Sequence, residues 1–286
     1  MNIQSLITIL INAGIDENEA KKEVAMLLEY FCNYSEKDKL LGKKLSEQDF
    51  IVLEEKIHQR TTTRVPIQYI IGEAWFMGEK FKVTPDVLIP RDETELLVTR
   101  AIEIINTNGF EEVLDIGTGS GCIACTIALN TKAVALGVDI SNDALRIALD
   151  NVTKLGINNR AIFRKSDLYE KIREGEVFDM IISNPPYIPY GTELSPEVQK
   201  EPALALFADD NGLAIYRKII EDAPKYLVEN GYLMFELGIN ESDAVKKMME
   251  ESFTDIVVEQ DLAGIDRIIC GKLKEVLNRK FFIIKV

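Results

Sequence analysis

The sequence predicts an α/β protein: a mostly parallel, seven-stranded sheet with an antiparallel closing strand, preceded by a small helical bundle and a β-hairpin. Three observations predict it. From Val113 onward short apolar runs alternate with helical stripes, the pattern of a parallel sheet. A glycine loop, Asp115-Ile116-Gly117-Thr118-Gly119-Ser120-Gly121, joins the first of those runs to the first stripe. Before residue 70 the apolar residues recur at helical spacing instead.

The helices come first. Ile3, Leu6, Ile7, Leu10 and Ile11 share one face of a helix that Gly14 can end, and Val24, Leu27, Leu28 and Phe31 form a second stripe. Ser46 and Asp49 resemble a weakened capping box ahead of Phe50, Leu53 and Ile57. His58, the only histidine, falls among Glu and Lys on the polar side of that stripe and reads as a surface residue. Arg64-Val65-Pro66 breaks the pattern. Aromatic and β-branched content then rises from Ala74 to Val83 around Met77-Gly78-Glu79, predicting a β-hairpin. Asp92 and Glu95 are spaced as a cap pair for a helix through Ile105. The domain boundaries expected are 1–73 for the helical bundle, 74–90 for a hairpin connector and 91–286 for the α/β domain.

In the sheet region, strands are predicted over 112–116, 133–139, 161–164, 178–183 and 232–237. A closing antiparallel pair is predicted over 256–259 and 265–271. Between them lie helices over 122–129, from Ser141 to Gly156, over 213–228 with Pro224 disturbing it, and over 241–251. The loop from Ile188 to Asn211 is long for a compact domain and is a candidate substrate-binding rim.

Composition narrows the function. The chain of 286 residues is 47% hydrophobic, enough for a substantial core in one or two domains. Its 47 Asp and Glu against 33 Lys and Arg give a net charge of −14. That argues against extended contact with bare phosphate backbone, which needs clustered cations. No apolar stretch reaches the roughly 18 residues of a transmembrane helix, and Ile3–Ile11 lacks the flanks of a signal peptide. Four cysteines, Cys32, Cys122, Cys125 and Cys270, fit a reducing compartment, so the cytoplasm is expected. Cys122 and Cys125 lack the two further ligands a zinc site would need and read as helix packing. No metal is called for.

Two motifs carry chemistry. Asn184-Pro185-Pro186-Tyr187 ends the apolar run Phe178–Ser183. The two prolines stiffen the exit and hold Asn184 extended at a strand end, where open α/β sheets bind ligands. The Asn184 side-chain carbonyl and the Pro185 carbonyl become two acceptors on a rigid frame, with Tyr187 as an aromatic wall. A planar group bearing an NH2, an amide or a base amine, fits that arrangement. The second motif is the glycine loop. Gly117, Gly119 and Gly121 let a ligand approach the backbone at a helix N-terminus. The D-x-G-x-G-x-G spacing, with Asp115 leading, favours an adenosyl group carrying an amino-acid tail over a pyrophosphate. Asp139, at the next strand end, is placed to accept ribose hydroxyls, and Asp167 at the third could accept an adenine amine.

Together these residues resemble class I S-adenosylmethionine-dependent methyltransferases, a Rossmann-like fold, with an N-P-P-Y motif. More narrowly, the chain resembles the HemK/PrmC family of peptide chain release factor glutamine N5-methyltransferases. Pro66–Gly72, Phe81-Lys82-Val83 and Val87–Arg91 match the region before the catalytic domain. Glu201-Pro202, Ala205-Leu206-Phe207, Asp261-Leu262-Ala263-Gly264 and Asp266-Arg267 match later stretches. The resemblance implies S-adenosylmethionine as cofactor, held by Asp115, Gly117, Thr118, Gly119, Ser120, Gly121, Asp139, Asp167, Leu168 and Asn184. It implies catalysis by Asn184, Pro185 and Tyr187. The substrate would be a glutamine in the Gly-Gly-Gln loop of a release factor, met by Asn184, Pro185, Pro186, Tyr187, Arg91 and Glu93.

Pattern alone explains Arg91 and Glu93 as the charged start of a helix. The family's R-P-E-T-E reads Arg91-Asp92-Glu93-Thr94-Glu95 here, and Leu168 stands where an aromatic is usual, making adenine packing aliphatic. A monomer without membrane or direct nucleic-acid binding is expected. The competing reading is an N6-adenine methyltransferase, which would use the same two acceptors on a base amine and would need a basic channel. The stretch Glu275–Val286 ends in an apolar run, Phe281–Ile284, and carries no assignment.

Overall fold

The computed structural model describes residues 2–275. The apolar run Phe281–Ile284 lies outside them. The described chain forms two compact units, one up to Glu73 together with Leu194–Lys200, the other over Ala74–Glu193 and from Glu201 onward.

The first unit holds α1 (Ile3–Asn12), α2 (Glu17–Cys32), α3 (Glu36–Leu40), α4 (Glu47–Thr63) and α5 (Ile67–Ile71). Leu6, Leu10, Leu27, Leu53 and Ile57 meet in its core, as their helical spacing requires. Ser46 and Asp49 form a complete capping box on α4, and Ser35 with Asp38 makes a second on α3. His58 is exposed. The buried Arg60 grips Glu23 through Nε and Nη2, at 3.0 and 2.8 Å, and reaches Glu197 Oε1 at 2.9 Å. A guanidinium this deep is stable only with such partners. It fastens Leu194–Lys200 to the helices.

The hairpin strands β1 (Glu73–Phe76) and β2 (Glu79–Lys82) come next, and from Ala74 onward they belong to the second unit. Met77 and Gly78 turn it with φ of 50° and 81°, the two positive values a tight two-residue turn demands. There follow α6 (Asp92–Asn108), β3 (Glu112–Ile116), α7 (Cys122–Asn130), β4 (Val134–Asp139), α8 (Asn142–Leu155), β5 (Ala161–Lys165) and β6 (Phe178–Ser183). Next are the short β7 (Ile188–Pro189) and β8 (Phe207–Ala208), then α9 (Ala214–Tyr226), β9 (Leu227–Glu236), α10 (Ser242–Met249), β10 (Phe253–Gln260) and β11 (Asp266–Leu273).

Seven strands form one sheet in the order β10-β11-β9-β6-β3-β4-β5. β9, β6, β3, β4 and β5 are parallel, and β11 enters antiparallel between β9 and β10. Alternate strand residues divide the core. Val113, Met180, Ile182 and Met234 face α6 and α7, while Leu114, Ile181, Leu233 and Phe235 face α9 and α10.

Two sequence expectations need correction. Asp92 and Glu95 do not cap α6. Arg91 is the N-cap without a side-chain bond, Asp92 already lies in the first turn, and Glu95 Oε1 accepts the hairpin's Met77 N–H at 2.6 Å. Val228, expected in a helix, belongs to β9, because Leu227 leaves the helical region for φ −97°, ψ 140° and pairs with Phe178. The loop from Ile188 to Asn211 is built rather than plain. β7 and β8 pair in it as Ile188↔Phe207 and Pro189↔Ala208.

Candidate active site

The chain leaves β3, steps outward to β4 and β5, and returns on the other side of β3 as β6. That reversal is the switch point where open α/β sheets form a crevice. Ile116 and Ser183, the last residues of β3 and β6, are paired neighbours. The glycine loop and Asn184 therefore leave adjacent strand ends. A cavity of about 320 Å3 opens above them, lined by Gly117, Gly119, Asp139, Asp167, Leu168 and Asn184, and also by Pro185 and Pro186.

The glycine loop bends back over β4. Gly117 N and Thr118 N donate to Val138 O at 2.9 and 3.0 Å. Gly117 sits at φ +74°, and a Cβ there would meet no atom within 4 Å, so the space belongs to the cavity. Gly121 differs: its Cβ would lie 2.9 Å from Phe163 Cζ, so this glycine serves helix packing. Asp139 Oδ2 accepts from Gly119 N at 2.9 Å and Oδ1 from Ser141 N at 2.8 Å. Burial raises the Asp139 pKa, and these backbone donors oppose the rise.

Asp115, Thr118, Ser120 and Gly121 do not line the cavity; they brace the loop from behind. Thr118 Oγ1 donates to the fully buried Asp115 Oδ2 at 2.6 Å, and burial pushes the Asp115 carboxyl up to about 7. The buried Asn151, which sequence reading passed over, donates to Ser120 O at 2.9 Å and brackets Lys82 of the hairpin through both amide ends. Nothing in its local pattern marks it.

At the N-P-P-Y end, Asn184 is half-buried, and its Nδ2 donates to Thr94 Oγ1 at 3.0 Å. Thr94 Oγ1 in turn donates to Glu236 Oε2 at 2.5 Å, and Tyr187 Oη lies 3.4 Å from Glu236 Oε1. Burial pushes the Glu236 carboxyl up to about 7, against the Thr94 bond. The Tyr187 ring is absent from the cavity lining. It packs on Gly238, where a Cβ would come within 2.9 Å of Cδ2. Thr94 and Glu236 were not found from sequence. The available signal was an acid ending the apolar strand Tyr232–Phe235.

Arg91 and Glu93 also stand outside the cavity lining. Arg91 pairs with the buried Glu201, whose Oε2 accepts Ile89 N at 3.1 Å. Glu93 lies 3.7 Å from Arg267, which binds Asp261 at 2.9 Å. The matched stretches Glu201-Pro202 and Asp261–Arg267 thus meet the Arg91–Glu95 segment through ion pairs. Cys122 and Cys125 are buried, and burial pushes the Cys122 thiol up to about 12, which suits packing rather than redox chemistry. Among the described residues no group of three or more His, Cys, Asp or Glu could hold a metal ion, and no helix is long and apolar enough to cross a membrane.

A family model described as Methyltransferase small domain matches residues 93–201. The release factor glutamine methyltransferase of Bacillus subtilis is 38% identical over 276 residues, covering 92% of this chain and 93% of its own. The chain belongs to the release factor glutamine methyltransferase family. Another member, from Lactococcus lactis, is 41% identical over 240 residues, covering 82% of this chain and 86% of its own. The T. thermophilus 16S rRNA N2 methyltransferase RsmC, solved with AdoMet and guanosine, shares the fold at a TM-score of 0.53 and 18% identity. It covers 71% of this chain and 50% of that one.

S-adenosylmethionine is the cofactor of this methyltransferase, and the cavity suits it. The space over Gly117, with the Asp139 carboxylate and the Asp167–Leu168 turn on the same cavity wall, leaves room for such a group.

Proposed function

We propose that this enzyme methylates the side-chain amide nitrogen, N5, of a glutamine in the Gly-Gly-Gln loop of a peptide chain release factor. The observation that carries the reading is the state of Asn184. Thr94 engages Nδ2, which leaves Oδ1 and the Pro185 carbonyl as acceptors at a cavity that both residues line. An amide NH2 has two hydrogens to satisfy two such acceptors.

When bound, S-adenosylmethionine supplies an electrophilic methyl group on a sulfonium. A glutamine nitrogen is a poor nucleophile because its lone pair is delocalised into the carbonyl. Asn184 Oδ1 and the Pro185 carbonyl would accept its two N–H groups and leave the lone pair aimed along the line of attack. Both acceptors would stabilise the positive charge that the glutamine nitrogen gains on methylation. The proton lost afterwards goes to water. Asp139 would hold the ribose hydroxyls, and Asp167 with Leu168 the adenine. Tyr187, packed on Gly238, would keep the Asn184–Pro185 frame from shifting. Arg91 and Glu93 would act from behind, through Glu201 and Arg267.

The helical region 1–73 would recognise the folded substrate, 74–90 would connect, and 91–286 would catalyse. The protein would work as a cytoplasmic monomer without direct nucleic-acid contact, in line with its charge of −14. Labelled cofactor incubated with a purified release factor, and separately with mixed DNA and RNA, tests this. Label should enter the release factor alone. Efficient labelling of nucleic acid with an unlabelled release factor would overturn it in favour of an adenine-N6 enzyme.

A further inference from the structure

We propose that Thr94 and Glu236 are positioning residues that dictate which end of the Asn184 amide the substrate meets. The inference rests on Asn184 being an acceptor for the substrate NH2. An asparagine side chain is nearly symmetric in shape, so packing alone discriminates poorly between its oxygen and its nitrogen. Turned the wrong way, Asn184 would present its own NH2 to the substrate NH2, donor against donor.

The relay behind it removes that choice. Glu236 ends β9 with 1% of its surface exposed, and Thr94 on α6 has 3%. An ionised carboxylate only accepts, and a hydroxyl has a single proton. With that proton given to Glu236 Oε2 at 2.5 Å, Thr94 Oγ1 can face Asn184 only as an acceptor. Nδ2 is the one part of the amide that can meet it, at 3.0 Å, and Oδ1 is thereby directed to the other side. The second carboxylate oxygen, Oε1, lies 3.4 Å from Tyr187 Oη, so one buried acid controls both ends of the N-P-P-Y segment. Its charge is what gives the relay a direction. A protonated Glu236 becomes a donor, and the sequence of bonds can then reverse.

The groups facing this acid are Glu93 from α6, Cys122 from α7, Tyr187, Tyr216 from α9 and Arg267 from β11. Burial raises the carboxyl to about 7, with Glu93 adding to the rise and Thr94, Arg267 and Tyr187 opposing it. Turnover should accordingly rise with pH through the neutral range as Glu236 ionises.

Steady-state kinetics with a purified release factor test the relay on Thr94→Val, Thr94→Ser, Glu236→Gln and Asn184→Ala. Thr94→Val keeps the shape and loses the hydroxyl, so kcat should fall by about 10- to 100-fold with the KM for S-adenosylmethionine unchanged. Thr94→Ser should recover most of the rate. Glu236→Gln can donate to Thr94 and allow the reversed order, so it should lower kcat and erase the ionisation near neutrality from the kcat profile. Should Thr94→Val not fold, Glu236→Gln carries the comparison alone. Wild-type kcat in Thr94→Val or Glu236→Gln beside an inactive Asn184→Ala would overturn the relay and leave the substrate reading standing. Equal losses in Thr94→Val and Thr94→Ser would also overturn it, since packing would then be the cause. An active Asn184→Ala would overturn the parent reading instead.

Discussion

Ser183 Oγ donates a 2.7 Å hydrogen bond to the carbonyl of Ile116, joining the last residue of β6 to the last residue of β3. Beyond this pair, one strand releases the loop proposed to hold the cofactor and the other the motif proposed to hold the substrate. Their separation is therefore fixed by sheet register rather than by the loops themselves. Ser183 has no exposed surface, so no water replaces the bond if it is lost. Ser183→Ala should lower stability by about 1 kcal/mol and reduce turnover. Urea unfolding checks the first part, and an unchanged midpoint would contradict it.

Asp139 is bound by two backbone donors, Gly119 N and Ser141 N, and still borders the cavity. Asp139→Asn keeps the volume but has one acceptor oxygen where two are needed. Affinity for S-adenosylmethionine should drop by about 10-fold or more, the loss of one or two charge-assisted bonds. Isothermal calorimetry measures it directly, and wild-type affinity in this variant would remove Asp139 from the ribose role.

Arg91 separates two explanations that the sequence left side by side. Its guanidinium pairs with Glu201, a carboxylate only 6% exposed. Arg91→Ala strands that carboxylate, with Ile89 N as its remaining donor. A destabilisation of about 1–3 kcal/mol is expected, moderated because Arg91 is itself partly exposed. Thermal unfolding followed by circular dichroism should show it. A variant with unaltered stability and a raised KM for the release factor would mean that Arg91 touches substrate instead.

Acids with pKa values raised by burial set the pH response of stability near neutrality, Glu23 and Asp139 among them. Burial raises Asp115 and Glu236 to about 7 and Glu241 to about 6, from ordinary values of 3.8, 4.5 and 4.5. Each is protonated in the folded chain at pH values where the unfolded chain has released its proton. Their contribution is full below the unfolded values and is lost as pH rises toward 6–7. Lowered acids such as Asp38, at about 2, act in the opposite sense but only below about pH 4. The unfolding temperature of the cofactor-free protein should fall between pH 5 and pH 7.5, and Asp115→Asn should flatten the slope. A temperature that climbs over that range in both proteins would contradict the assignment.

What sequence made legible was whatever a local backbone requirement forces. The glycines at positive φ in the loop after β3, the stiff Pro185-Pro186 exit and an acid at the end of β4 each follow from a few adjacent residues. The fold class followed from the alternation of strands and helices for the same reason. The relay behind Asn184 could not be read that way, because Thr94 and Glu236 lie 142 residues apart and meet only after the sheet has formed. The same limit explains Glu95. Its spacing from Asp92 suits a helix cap, yet a hairpin N–H 18 residues earlier claims the carboxylate. Arg91 and Glu93 looked like an ordinary charged helix start because Glu201 and Arg267 are remote in sequence.

The most direct measurement is mass spectrometry of a purified release factor after incubation with S-adenosylmethionine and either the wild-type enzyme or Asn184→Ala. Wild-type enzyme should add one methyl group, mapped by fragmentation to the glutamine of the Gly-Gly-Gln loop. Asn184→Ala should slow this by about 10- to 100-fold or more, from loss of an acceptor to the developing charge. A methyl group on another residue, or undiminished transfer by Asn184→Ala, would contradict the central claim.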